Sequence, residues 1–153
     1  MIKILFVCHG NICRSPMAYY YFKSLVEKRS LTSMFYLDSA GTSSEELGNP
    51  VHRGTREKLK QAGIACDGHH AKQMQTSDYS SFDYLIGMDS WNIQNMERIA
   101  GGDPDKKIYK LLEFIQSDRD VSDPWYTGNF DVTWEDITKG CDALLEYVLE
   151  RSR

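Results

Sequence analysis

No stretch of this 153-residue chain is apolar for long enough to cross a bilayer, and its first residues lack the layout of a secretory leader. A soluble, cytoplasmic protein with no membrane partner is expected. Cysteine is scarce. Cys8, Cys13, Cys66 and Cys141 form no C-x2-C pair, which argues against a zinc ribbon or a disulfide scaffold and for reduced thiols. Positive charge is also short: 18 Lys and Arg against 22 Asp and Glu leave a net charge of -4. Non-specific nucleic-acid binding needs clustered Lys and Arg, so that class is set aside. Internal repeats, low-complexity tracts and linkers are missing too, and one domain over 1–153, present as a monomer, is expected. With 41% hydrophobic and 26% charged residues, the composition is that of an ordinary globule. A chain of this length buries about two thirds of its unfolded surface.

The chemistry is concentrated near the N-terminus. Ile2 to Val7 is an apolar run broken only by Lys3, as in a strand covered on both faces. Cys8-His9-Gly10-Asn11-Ile12-Cys13-Arg14-Ser15 follows it directly, ahead of Pro16. Ser15 is a good N-cap and Pro16 suits the first helical position, so a helix is predicted to start there. Gly10 and Asn11 loosen the intervening loop, and its amides, with those of the helix start, can converge on an anion. Arg14 adds a planar fork that grips two phosphate oxygens at once. A cysteine attacks as its thiolate, which a helix N-terminus and a neighbouring cation both favour. The pattern therefore predicts a phosphate trap with Cys8 as nucleophile at its floor. A bare C-x5-R match would be weak; the strand before, Gly-Asn within and Ser-Pro after are separate requirements, and all are met.

Strand and helix signals alternate along the rest of the chain. Strands are predicted at Phe35 to Asp38, Tyr84 to Met88 and Ile108 to Leu111. A helix is predicted from about Thr55 to Ala62, closed by Gly63, and another follows a cap at Asp89 or Ser90 and ends near Gly101-Gly102. Thr133-x-x-Asp136 has the spacing of a capping box ahead of the apolar stripe Ile137, Cys141, Leu144, Leu145, Val148 and Leu149. The alternation predicts a doubly wound α/β fold: a mostly parallel, four-stranded sheet in flavodoxin-like order, with helices on both faces. Ligands then bind at the carboxyl ends of the strands, which places Cys8, Ser39 and Asp89 on one rim.

Attack on a phosphate ester needs an acid for the leaving oxygen. Asp123 is a candidate, because Pro124 holds it extended in a loop and Trp125 and Tyr126 can wall a phenyl ring. Asp103-Pro104 is a second copy of the same turn signal, and the aromatics after Asp123 are what distinguishes the two pairs locally.

V-C-H-G-N-I-C-R-S-P, then D-S-A-G-T at Asp38 to Thr42, M-D at Met88-Asp89 and D-P-W-Y at Asp123 to Tyr126 resemble, in order, the motifs of the low-molecular-weight protein tyrosine phosphatases. The resemblance implies a metal-independent hydrolase with no cofactor. It would release inorganic phosphate from phosphotyrosine proteins through a cysteinyl phosphate, with Cys8, Arg14 and Asp123 catalytic and Asp103 an ordinary turn residue. It further implies that Asn11 and Ser39 shape the loop, that Ser15 donates to the thiolate, that Cys13 can trap oxidised Cys8, and that His70 supports the loop beside His69. His9 occupies a variable position at the mouth. Many members carry an aromatic after D-S-A-G-T; Glu45, Glu46 and Leu47 stand here, and Leu47 is the candidate replacement wall.

The family's protein-arginine phosphatases have threonine where this chain has Ile12, whose bulk favours the tyrosine branch. Arsenate reductases share the loop but relay a disulfide through two further cysteines, and no such pair is present. A non-catalytic phosphopeptide-binding module would keep Arg14 and the amides but have no use for Cys8 or Asp123.

Overall fold

A computed structural model describes residues 1–152. Four strands form one parallel sheet, β1 (Ile2–Cys8), β2 (Phe35–Gly41), β3 (Tyr84–Gly87) and β4 (Ile108–Lys110), in the order β2-β1-β3-β4. Six α-helices connect and flank them: α1 (Arg14–Lys28), α2 (Arg53–Gln61), α3 (Asp78–Ser81), α4 (Ser90–Ala100), α5 (Pro124–Thr127) and α6 (Phe130–Arg151). The architecture is the doubly wound one that the alternating pattern predicts. No described helix is long and apolar enough to cross a membrane.

β1 shows why the strand run is apolar on every side. Its side chains alternate between faces. Ile4, Phe6 and Cys8 join the core made with α1 and α6, whereas Leu5 and Val7 pack with Leu85, Met96 and Tyr79 on the opposite face. β1 lies between β2 and β3 in full parallel register, Cys8 opposite Gly41 and Val7 opposite Gly87. The crossing point of the chain, and with it the ligand crevice, falls at the carboxyl end of β1.

Two helix starts differ from expectation. α1 begins at Arg14, two residues early, with Cys13 at the cap position and no side-chain capping bond. Ser15 is instead inside the first turn, because its hydroxyl is taken by Cys8 Sγ at 3.1 Å and by Asn11 Nδ2 at 2.8 Å. α6 begins at Phe130, where Asn129 Oδ1 accepts from the amides of Asp131 and Val132. Thr133 and Asp136 are not a capping box: Thr133 Oγ1 donates to Ser122 O at 2.9 Å, and Asp136 accepts both terminal nitrogens of Arg119. These polar side chains serve a distant loop instead of the local helix end, which short-range spacing cannot reveal. Asp89 does cap α4, in a reciprocal box with Asn92.

Candidate active site

The loop after β1 curls with its carbonyls turned outward. Cys8 O accepts from Thr42 N at 2.9 Å, His9 O from Ser43 N at 3.0 Å, Ile12 O from His52 N at 2.8 Å and Cys13 O from Thr55 Oγ1 at 3.1 Å. Asn11 O accepts from His69 Nε2 at 2.7 Å. Among the described residues the N–H groups of Gly10, Asn11, Ile12 and Cys13 have no protein acceptor. With the carbonyls of Cys8, His9, Asn11, Ile12 and Cys13 taken by protein donors, the ring leaves its own donors for an anion. Asn11 makes the curl: it has a left-handed φ of 59° and is fully buried. Its Nδ2 donates to Ser15 Oγ and Ser39 Oγ, and its Oδ1 accepts from Lys72 N. Gly41 is required beside it, because a Cβ there would come within 2.6 Å of His9 O.

Cys8 ends β1 at the floor of a cleft of about 710 Å³, whose lining also includes His9, Gly10, Ile12, Cys13, Arg14, Asp123, Trp125 and Tyr126. Because Asn11 already donates to Ser15 Oγ, the Ser15 hydroxyl proton is left for Cys8 Sγ. Cys13 is a different thiol. Burial above all, then the nearby Cys8, pushes it up to about 12, so it stays protonated at neutral pH. All four cysteines are free.

Arg14 is almost completely buried. Burial disfavours its charge, yet Cys8, Asp89 and Asp123 around it more than offset this and raise its pKa above the ordinary arginine value. Nη1 donates to Asp89 Oδ2 at 2.7 Å and to Val121 O at 3.1 Å, while Nη2 reaches Asp123 Oδ2 at the longer distance of 3.3 Å. Asp123 Oδ1 also caps α5 by accepting from Trp125 N at 3.0 Å, with Pro124 at the first helical position. The segment carrying Asp123 is tethered at several points: Val121 N to Met88 O, Ser122 O to Thr133, Arg119 to Asp136, and Asp120 to Lys110.

The structure therefore brings Cys8, Arg14 and Asp123 to one cleft and buries Asn11, Ser15 and Ser39 beneath it. Two expectations are corrected. His69, not His70, contacts the loop; His70 is exposed and faces Gly48 O at 3.3 Å, because the chain direction at this turn aims only the first of the two rings inward. Leu47 is not a wall. It is exposed and outside the cleft, where Glu45, Glu46 and, from α4, Trp91 line the mouth. Asp103 accepts from Tyr79 OH, Lys107 N and Ile108 N, holding the turn before β4 away from the cleft. The spacing of M-D places Asp89 on the rim, but its salt bridge to Arg14 carries no local signal. The same is true of the tethers from Arg119, Lys110, Thr133 and Asp136.

Comparison with known proteins agrees with this geometry. The family model of the low molecular weight phosphotyrosine protein phosphatases matches residues 3–153. A low molecular weight protein-tyrosine-phosphatase of Bacillus subtilis, YfkJ, is 44% identical over 147 residues, covering 95% of this chain and 94% of its own. The crystal structure of YfkJ superposes with a TM-score of 0.97 at 43% identity, over 100% of this chain and 98% of the other. A Drosophila arginine phosphatase structure has a TM-score of 0.87 at 32% identity, covering 96% and 98%. On the strength of its loop, its fold and these matches, the chain belongs to the low molecular weight phosphotyrosine protein phosphatase family.

Proposed function

We propose that this chain hydrolyses phosphotyrosine in proteins through a cysteinyl phosphate, with Cys8 as nucleophile, Arg14 as phosphate ligand and Asp123 as proton donor. The observation that carries the reading is the convergence of these three side chains on one cleft, with Ser15 Oγ 3.1 Å from Cys8 Sγ.

In the first step the Cys8 thiolate attacks phosphorus in line. The P–S bond forms as the P–O bond to the phenol breaks, and Asp123 gives its proton to the departing oxygen. In the second step water attacks phosphorus, the P–S bond breaks, and Asp123 takes the water proton while inorganic phosphate leaves. Arg14 and the free amides of the loop hold the equatorial oxygens in both steps, which supplies the electrostatic preorganisation on which phosphoryl transfer depends. Asp89 and Val121 O fix Nη1. The looser contact of Nη2 with Asp123 can yield to a phosphate oxygen. Ser15 stabilises the thiolate before attack and as leaving group.

Trp125 and Tyr126 suit the two faces of a phenyl ring, and Ile12 narrows the loop side of the cleft. A disulfide relay to arsenate is poorly served, because Cys141 is fully buried in the core, away from the cleft. Free thiols agree with a cytoplasmic setting.

The test replaces Cys8 with serine and measures both turnover and affinity for a phosphotyrosine peptide. Turnover falls by at least about 10⁴-fold, as for a lost covalent nucleophile. Unchanged turnover refutes the mechanism. A parallel set of phosphotyrosine, phosphoarginine and phosphoserine peptides separates the branches, and dominant phosphoarginine hydrolysis would refute the argument from Ile12.

A further inference from the structure

The charges around the mouth of the cleft do not balance. Arg119 is held by Asp136 through bonds of 3.0 and 2.7 Å, Asp120 by Lys110 at 2.9 Å, and Arg14 by Asp89 and Asp123. Among the described residues Glu45 has only His9 Nε2 at 3.4 Å, an ion pair only when that imidazole is protonated, and its side chain is 73% exposed. Glu46 holds the neutral amide of Asn49. Its aliphatic stem rests on the phosphate loop, since a Cβ at Gly10 would lie 3.2 Å from Glu46 Cγ. Two carboxylates with no lysine or arginine partner among the described residues thus line the mouth of a site built for a dianion, and like charges oppose ligand entry.

A substrate that brings its own cation removes this conflict. We infer that the Glu45–Glu46 rim selects phosphotyrosyl segments carrying a lysine or arginine next to the phosphotyrosine and discriminates against acidic flanks. The inference rests on the phosphotyrosine reading above and specifies the substrate class of the same cleft. The cleft has room for a flanking residue, and three exposed aromatics on it, Trp91, Trp125 and Tyr126, offer faces on which a peptide or a guanidinium can lie. Trp91 stands on the first turn of α4, two residues past the Asp89 that pairs with Arg14, so the aromatic surface continues beyond the phenyl slot.

The experiment compares kcat/KM for matched phosphotyrosine peptides with arginine, alanine or glutamate on either side, with phenyl phosphate as the flankless reference. It is run on the wild type and on the double variant Glu45→Gln/Glu46→Gln, at low and high salt. For the wild type at low salt the arginine-flanked peptide exceeds the glutamate-flanked one about fivefold, the scale of an exposed ion pair. High salt compresses the ratio. In the double variant the ratio falls to about one, while inorganic phosphate inhibits more tightly. A flank ratio that is near one in the wild type, or that survives both substitutions, overturns the inference while leaving the phosphatase reading intact. Failure of the wild type to turn over phenyl phosphate and every peptide overturns both.

Discussion

Residues 8–15 and residues 116–129 meet in the same cleft and are held by different forces. The phosphate loop is buried at Asn11, Cys13, Arg14 and Ser15 and is knit by short hydrogen bonds to β2, α2 and the His69 turn. The loop that brings Asp123 is largely exposed, and ion pairs at its edge tie it down: Arg119 to Asp136 on α6 and Asp120 to Lys110. The proposed chemistry accounts for the contrast. Stabilising charge on a phosphoryl group requires donors fixed before the reaction begins, whereas a proton donor must admit a substrate and then close on one oxygen. Local stability follows the same division, the Asp123 loop having few buried residues.

The largest effect is expected from breaking the rigid side. Asn11→Ala removes the side-chain partners of Ser15, Ser39 and Lys72 N and leaves alanine at a left-handed φ. The loss of buried bonds and the strained backbone together destabilise the fold by about 3 kcal/mol. Activity falls about 100-fold for every substrate, because the amides and the Ser15 proton lose their aim. Urea unfolding and kcat/KM measured side by side check this. A stable variant with intact activity would show that the loop is shaped by something other than Asn11.

Arg119→Ala breaks the other side. The pair with Asp136 is exposed at the arginine end, so the stability change stays within about 1–2 kcal/mol. Catalysis changes selectively: a loosened acid loop slows phenyl phosphate, whose leaving oxygen needs the proton, about tenfold, and p-nitrophenyl phosphate much less. Equal losses on the two substrates would mean that Arg119 supports phosphate binding and not proton delivery. The contrast between the loops would then lose its functional meaning.

How much of this was legible in the residues follows the same division. The buried side was: a strand, Gly-Asn, arginine and Ser-Pro in sequence reveal a phosphate loop because each requirement is local. The alternation of apolar runs likewise reveals the parallel sheet and the placement of Cys8 at its carboxyl edge. The tethered side was not. Thr133 and Asp136 have the spacing of a helix cap, yet the fold uses them 11 and 17 residues back, on Ser122 and Arg119. Leu47 stands at the sequence position expected of a wall, while the aromatic that reaches the mouth is Trp91, from the helix after β3. His69 and His70 are neighbours in sequence, and only the path of the backbone decides which one meets Asn11 O. Ser15 shows the limit within the loop itself: its residue type suits a cap, but Cys8 Sγ and Asn11 Nδ2 take the hydroxyl.

The smallest effect concerns the hinge between the loop and the 69–72 turn. Burial, reinforced by His70 and Lys72, holds His69 below the ordinary histidine range, although Asn11 O and Asp38 act in the opposite sense. Its Nε2–H already donates to Asn11 O, so the proton added on acidification goes to Nδ1. The unfolded chain then binds this proton more readily than the folded one, and stability rises with pH. The contribution is complete above the unfolded value of about 6.5 and is lost as pH falls through the lower folded value. Melting temperatures of the wild type and of His69→Gln, which retains a donor but does not titrate, should be compared from about pH 8 to pH 5. The wild type declines relative to the variant only at the acidic end. Parallel curves would mean that the His69 ring protonates in the folded state as freely as in the unfolded chain.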